Sequence, residues 1–143
     1  MGMVKAVCTS EIKGIQKSET DEVRLREEWG IVTDAHSGPW HRQVSLLSAE
    51  AVDAFNARGA SVGHGAFGEN LVVEGFDLKS LPLGTRFTCN DVLLELTQIG
   101  KECHSRCAIY HRMGDCIMPR EGVFCRVIRG GSIAKGDTIE IVA

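Results

Sequence analysis

The sequence predicts a mainly β fold of α+β content, a mostly antiparallel β-barrel with a few short helices, and three observations carry that expectation. Short stretches alternate apolar and charged residues with the period of a half-buried strand, as in Val23-Arg24-Leu25-Arg26. Glycine-containing turns separate these stretches at short intervals along the chain. Ser48 to Arg58 gives the clearest apolar spacing of an amphipathic helix. Many short strands leave edges that a closed barrel removes. At 143 residues the chain fits one domain, residues 1–143, with a core that needs no disulfides.

Met3 to Thr9, MVKAVCT, is short and β-rich and reads as the first strand. Ile12 to Thr20 continues polar around Gly14, a turn followed by a further strand. Val23 to Glu28 suits a strand with one wet face, and Gly30 breaks it. The connection from Gly30 to Leu47 gathers Asp34, His36, Trp40, His41 and Arg42 around Gly38 and Pro39, ahead of a strand from Gln43 to Leu47. Connections rich in polar and aromatic side chains are where binding groups tend to sit; the plainer reading is an Asx-type turn with Trp40 as a lid on the core. Ser48 caps a helix from Ala49 to about Arg58, with Glu50 near its start, Gly59 after its end, and Ala51, Val52 and Phe55 on its buried face.

Ser61 to Asn70, SVGHGAFGEN, holds three glycines but lacks the Lys-Ser/Thr of a phosphate-cradling loop and the spacing of a dinucleotide fingerprint, so that reading has little support. Leu71 to Val73 is a strand, and Leu83 to Thr97 reads as a hairpin bent at Asn90-Asp91. Gly122 to Val142 repeats the style, with turns at Gly130-Gly131 and Gly136-Asp137 before a last alternating strand.

A net charge of -3 with interspersed signs offers no basic stripe for phosphates, so nucleic acid is not an expected partner. No apolar run approaches the roughly 20 residues of a membrane span, and the N-terminus does not read as a signal peptide, so the expected location is cytoplasmic with no membrane partner. Six cysteines are then expected to stay reduced.

Four of them, Cys103, Cys107, Cys116 and Cys125, fall between Glu95 and Arg126 together with His104 and His111. A thiolate is both a strong nucleophile and a soft metal ligand, which makes a thiol the expected reactive group. No Cys-x-x-Cys pair occurs, and Cys8, Cys89 and Cys125 read as core residues. If Cys103 to Met113 is helical, Cys103 stands at the helix start, where free amides, the dipole, Lys101, His104 and Arg106 favour its thiolate while Glu102 opposes it. Three readings stay open on these residues. Cys103 is a sulfur carrier or cofactor ligand; Cys103, His104, Cys107 and His111, with Cys116 as a further candidate, form a zinc-binding or redox-sensing module; or the domain is a non-catalytic interaction module with buried cysteines. The Cys-x3-Cys spacing is loose for tetrahedral zinc.

The order of five motifs resembles a small stand-alone MOSC domain, the module named after the C-terminal domain of molybdenum cofactor sulfurases. They are Asp34-Ala35-His36-Ser37-Gly38 followed by Arg42 and VSLL, Phe67-Gly68-Glu69-Asn70-Leu71, LELTQIGKEC ending in Cys103, REGVFCRVI from Arg120 to Ile128, and Gly136-Asp137-Thr138-Ile139. The resemblance implies a barrel-like domain whose cleft holds one family cysteine, aligned with Cys103. It implies the molybdenum cofactor (molybdopterin) as ligand, with Cys103 bearing a persulfide or ligating molybdenum, as part of a sulfur-transfer or molybdenum-dependent reductase system. Asp34, His36, Arg42, Glu69, Asn70 and Arg126 are then expected to flank the cofactor, with Arg42 or Arg126 on its phosphate. Expected partners are a cysteine desulfurase or a molybdenum-cofactor biosynthesis or acceptor protein, since no pyridoxal-phosphate domain accompanies this one. Glu102 departs from the family's common proline at that position, and Cys107 and Cys116 are additional thiols able to resolve a persulfide as a disulfide or supply a second ligand.

Overall fold

The structure, a computed structural model, describes residues 2–11, 17–35, 37–59, 62–100 and 121–142. Along the chain run β1 (Gly2–Thr9), β2 (Ser18–Thr20), β3 (Glu22–Arg26), β4 (Gly30–Ile31), β5 (Val44–Ser48), α1 (Ala49–Ala57), β6 (Leu71–Glu74), β7 (Arg86–Cys89), β8 (Val92–Ile99), β9 (Val123–Arg129), β10 (Gly131–Ala134) and β11 (Thr138–Val142). Seven strands close a barrel in the order β11-β7-β8-β9-β5-β6-β1, and β1 returns to β11 with Gly2 opposite Ile139 and Met3 opposite Thr138. Closure removes the two edges an open sheet of this length would expose.

The barrel pairings are antiparallel except β5 with β6, where Leu46 faces Leu71 in parallel register. Parallel neighbours need a crossover rather than a hairpin, and α1 supplies it. Ser48 caps this helix, its hydroxyl accepting from the Ala51 amide at 3.3 Å, and Val52 and Phe55 are its large buried side chains. They pack with Leu47, Phe67 and Phe124 on the outer face of the barrel. Phe55 and Phe67 meet edge to face with ring centres 5.6 Å apart. Full burial of a side chain such as Phe55 contributes about 2–3 kcal/mol.

Alternation sets the inside of the barrel. Val92, Leu94 and Leu96 of β8 and Val123, Cys125 and Val127 of β9 enter the main core, while Glu95 and Arg126, opposite one another in register, face outward. A second sheet in the order β10-β3-β4 brings Val23, Leu25, Ile31 and Ile133 into the same core. The turn at Gly130-Gly131 therefore sends β10 onto β3, with Ile133 opposite Val23, instead of folding it back on β9. Gly130 is tolerated there because it has no Cβ: one would lie 2.5 Å from the Leu25 carbonyl oxygen. β7 and β8 form the expected hairpin, with Asn90 at φ 55 in its bend. Among the described residues no helix is long and apolar enough to cross a membrane.

Candidate functional site

Three connections converge where β1 ends. Ala35 donates its amide to the Ser10 carbonyl at 2.7 Å, and the Asp34 carboxylate accepts from the Ser10 amide at 3.1 Å and from Lys17 Nζ at 2.8 Å. The Lys17 and Asp34 side chains are 1% and 0% exposed. Two charges so far from water are tolerable only as a well-bonded pair. The Lys17 amide in turn donates to the Gly65 carbonyl at 2.9 Å. Gly65 holds φ +89, and a Cβ on it would collide with the Lys17 carbonyl, so this junction requires glycine.

The glycine loop closes on itself through Glu69, whose two carboxylate oxygens accept the Gly65 and Phe67 amides at 3.0 Å each. Burial pushes the Glu69 carboxyl above the ordinary glutamate range, against the opposing pull of those amides and of His64. Amides already held by Glu69 are not available to cradle a phosphate. Asn70 is buried and ties strands together: its Oδ1 accepts the Ser45 amide at 3.0 Å and its Nδ2 donates to the Cys8 carbonyl at 3.1 Å. Asp34, Glu69 and Asn70 thus build the frame of the loops with their own polar atoms.

A second cluster lies beside α1 on the outer face. Arg42 Cζ sits over the Trp40 ring at 4.5 Å and over the Phe124 ring at 5.6 Å. Arg42 Nε is buried and has no hydrogen-bond partner, the only buried side-chain nitrogen or oxygen in that state among the described residues. The clasp that holds this loop comes from an irregularity in β8. Leu96 faces Cys125 but Gln98 faces Phe124, so Thr97 is an extra residue, a bulge of the kind that re-aims a side chain. Its hydroxyl is shared between the carbonyls of His41 and Phe124, 3.1 Å from the latter. Gln98 Nε2 donates to the Gly100 carbonyl at 2.7 Å, which leaves its Oε1 as acceptor for His41 Nε2, also at 2.7 Å. With Gln98 Oε1 accepting, His41 Nε2 is the donor in this contact. Trp40 meets the His41 ring edge-on with ring centres 6.0 Å apart and is partly buried.

These contacts fix the point from which the cysteine-bearing segment departs. The Gly100 amide donates to the Gly122 carbonyl at 2.6 Å, joining the end of β8 to the start of β9. Cys103, His104, Cys107, His111, Cys116 and the helix expected from Cys103 to Met113 lie outside the described residues, as does His36. The described cysteines are all buried. Burial pushes the Cys8 thiol up to about 12, with Glu69 adding to the shift, and the Cys89 thiol up to about 11. Burial also pushes Cys125 strongly upward. All three are the core residues the sequence predicts. Among the described residues no three His, Cys, Asp or Glu side chains are grouped to hold a metal.

Arg126, the other arginine expected near a phosphate, is engaged elsewhere. Its Nε donates to Glu95 at 3.0 Å and its Nη1 to Glu28 at 2.9 Å, and Arg126, followed by Arg86, holds the Glu95 carboxyl below the ordinary range. Lys17 joins the site from outside the quoted motifs, and Ser45, Thr97, Gln98 and Phe124 join it from within them, none given a role by the sequence. A bulge at Thr97 leaves a period-2 pattern almost intact, and only the mismatch of Gln98 with the strand alternation hints at it.

The fold and site define a small closed β-barrel domain with one crossover helix and a loop cluster held against the end of β8. Residues 33–140 match the MOSC domain, and the chain belongs to that family, which is associated with the molybdenum cofactor. No curated protein matches the sequence. Among solved structures, the YuaD protein from Bacillus subtilis superposes with a TM-score of 0.82 at 20% identity, over 99% of this chain and 96% of that one. YiiM from Geobacillus stearothermophilus gives 0.75 at 18% identity, over 100% of this chain and 76% of that one. YiiM from Escherichia coli gives 0.69 at 20% identity, over 100% and 70%. At these identities the likeness is one of fold.

Proposed function

We propose that this MOSC domain handles molybdenum-cofactor sulfur through Cys103, which either carries a persulfide or ligates molybdenum in the bound cofactor. One observation supports this most. Cys8, Cys89 and Cys125 are buried with raised thiol pKa values, which leaves a reactive thiol to the segment between Gly100 and Glu121, and Cys103 is the family-aligned cysteine there. Cys103 follows Gly100, whose amide joins the end of β8 to Gly122, by three positions in the sequence.

The residues present fit a group that is both anionic and soft-metal-bearing. Cys103 offers a soft ligand, and Arg42 offers a cationic Nε–H donor with no acceptor among the described residues. Asp34, His36, Glu69 and Asn70 would flank the cofactor, with the buried Asp34, Glu69 and Asn70 acting by holding the loops in place, and Arg126 would contribute only on release from its carboxylates. When bound, the cofactor supplies two-electron redox chemistry at molybdenum. For sulfur carriage, the Cys103 thiolate attacks the outer sulfur of a persulfide on a cysteine desulfurase. A new sulfur–sulfur bond forms on Cys103, the donor's bond breaks, and the donor cysteine leaves as its thiolate, so no external oxidant is required. A molybdenum-cofactor biosynthesis or acceptor protein would take the sulfur onward in the cytoplasm.

Incubation with a cysteine desulfurase and cysteine, followed by peptide mass spectrometry, is expected to place one extra sulfur on Cys103. Metal and pterin analysis of protein from a cofactor-competent host separates ligation from carriage. A Cys103→Ser variant that still gained the extra sulfur, with neither molybdenum nor pterin in the purified protein, would overturn the assignment.

A further inference from the structure

Most titratable side chains around the loop cluster give their polar atoms to the frame. Lys17 is paired with Asp34, Glu69 holds the Gly65 and Phe67 amides, Arg126 is tied to Glu95 and Glu28, and His64 Nδ1 meets Glu19 Oε1 at 2.6 Å. His41 is different. Its ring is exposed and, among the described residues, is hydrogen-bonded at Nε2 alone, to Gln98 Oε1. A carbonyl only accepts, so the Gly100 carbonyl takes the Gln98 amide nitrogen and leaves the amide oxygen to His41. An imidazole that donates through Nε2 accepts, when neutral, only at Nδ1. One ring nitrogen held by an orienting group and the other unengaged is the arrangement of a general base. We propose that His41 is the proton-transfer residue of the sulfur chemistry at Cys103, with Gln98 as its positioning residue.

The proposal rests on the sulfur-carriage reading and adds the path of the proton. His41 Nδ1 takes the proton of the Cys103 thiol, and the thiolate attacks the outer sulfur of the donor persulfide. The donor's sulfur–sulfur bond breaks as the new one forms, and the imidazolium returns the proton to the departing donor thiolate. A thiol and a persulfide thus exchange one sulfur atom with no oxidant and no net proton. The Gly100 carbonyl that orients Gln98 belongs to the residue three positions before Cys103. Among the described residues, His41 meets the Trp40 ring, the Gln98 amide and the Thr97 hydroxyl, all uncharged. Arg42, the next residue, lies over the Trp40 and Phe124 rings. With no carboxylate bonded to it among those residues, the imidazole has no fixed counter-charge there to hold its proton.

The test is the rate at which Cys103 gains sulfur from glutathione persulfide, followed by peptide mass spectrometry across a pH series. Each variant is compared with the unsubstituted protein at the same pH, which cancels the donor's own titration. His41→Ala should load at least about tenfold more slowly at neutral pH, and the deficit should close at acid pH, where the imidazole of the unsubstituted protein is already protonated. Added imidazole should restore part of the His41→Ala rate, which a merely structural role would not allow. Gln98→Glu places a carboxylate on Nε2–H, favours the imidazolium and should move the acid limb of the profile to higher pH. In the unsubstituted protein, ring-nitrogen NMR should find the proton of the neutral His41 on Nε2, a readout independent of how any variant folds. Loading of His41→Ala at the unsubstituted rate, no rescue by imidazole, a limb unmoved by Gln98→Glu, or a neutral ring protonated on Nδ1 would overturn the role of His41 and leave the sulfur reading standing. A Cys103 that gains no sulfur in any of these proteins would overturn both.

Discussion

Phe124 and Arg126 stand two residues apart on the outer face of β9, and the cations they meet are treated in opposite ways. At Arg126 the guanidinium lies between Glu95 and Glu28, with two of its nitrogens bonded to carboxylates. At Phe124 the guanidinium of Arg42 lies over aromatic rings, with Nε bonded to nothing. The first arrangement neutralises the charge and consumes its donors; the second stabilises the charge and keeps them. An arginine on a ladder of acids is a surface brace, whereas one on an aromatic shelf is stabilised without giving its donors to a carboxylate.

Substitutions can break or sharpen this contrast, beginning with the most damaging. Asp34→Asn weakens the buried pair with Lys17, and removing one member of such a pair should cost about 3–5 kcal/mol in denaturant unfolding. Phe124→Ala, which removes the floor of the Arg42 shelf together with part of the cluster under α1, should cost about 3 kcal/mol. Thr97→Val keeps the bulge's shape but loses the hydroxyl bridging His41 and Phe124; about 1 kcal/mol is expected, with faster amide exchange at Gly100.

Arg126→Gln should change stability at neutral pH by less than about 1 kcal/mol, because its ion pairs are exposed. Its effect is better read by acid titration. Glu95 has a folded pKa below its unfolded one, so it favours folding above the unfolded value, and that contribution disappears as pH falls through the folded pKa. In Arg126→Gln the Glu95 carboxyl should titrate closer to an ordinary glutamate by NMR, and the acid-side loss of stability should shrink. Glu69 has the opposite sign. Its raised pKa favours the folded state below the unfolded value and loses that contribution as pH rises through the folded one.

The barrel was legible because its signals are local. Alternation in Val92-Leu93-Leu94-Glu95-Leu96, the Asn90-Asp91 bend and the Ser48 cap each lie within a few neighbouring residues. The buried face of α1 was legible for the same reason. What escaped depends on contacts across long stretches of chain. Lys17 sits in a polar run that reads as solvated, and its pairing with Asp34, 17 residues on, follows only from how the connection after β4 meets the end of β1. The destination of β10 was hidden because a Gly-Gly turn permits a hairpin as readily as a departure to β3. Asp34, Glu69 and Asn70 were singled out as cofactor neighbours, and the structure shows them bonding backbone amides, carbonyls and Lys17 within the frame. The resemblance treats Arg42 and Arg126 alike, and the structure gives them different neighbours, Trp40 and Phe124 for one, Glu95 and Glu28 for the other.

The most direct measurement is alkylation of the native protein at neutral pH with a thiolate-selective reagent, with each cysteine followed by peptide mass spectrometry over time. Cys103 should be modified at least tenfold faster than Cys8, Cys89 and Cys125, whose thiols are buried and hard to ionise. Labelling of Cys103 no faster than those three would contradict the assignment of the domain's chemistry to it.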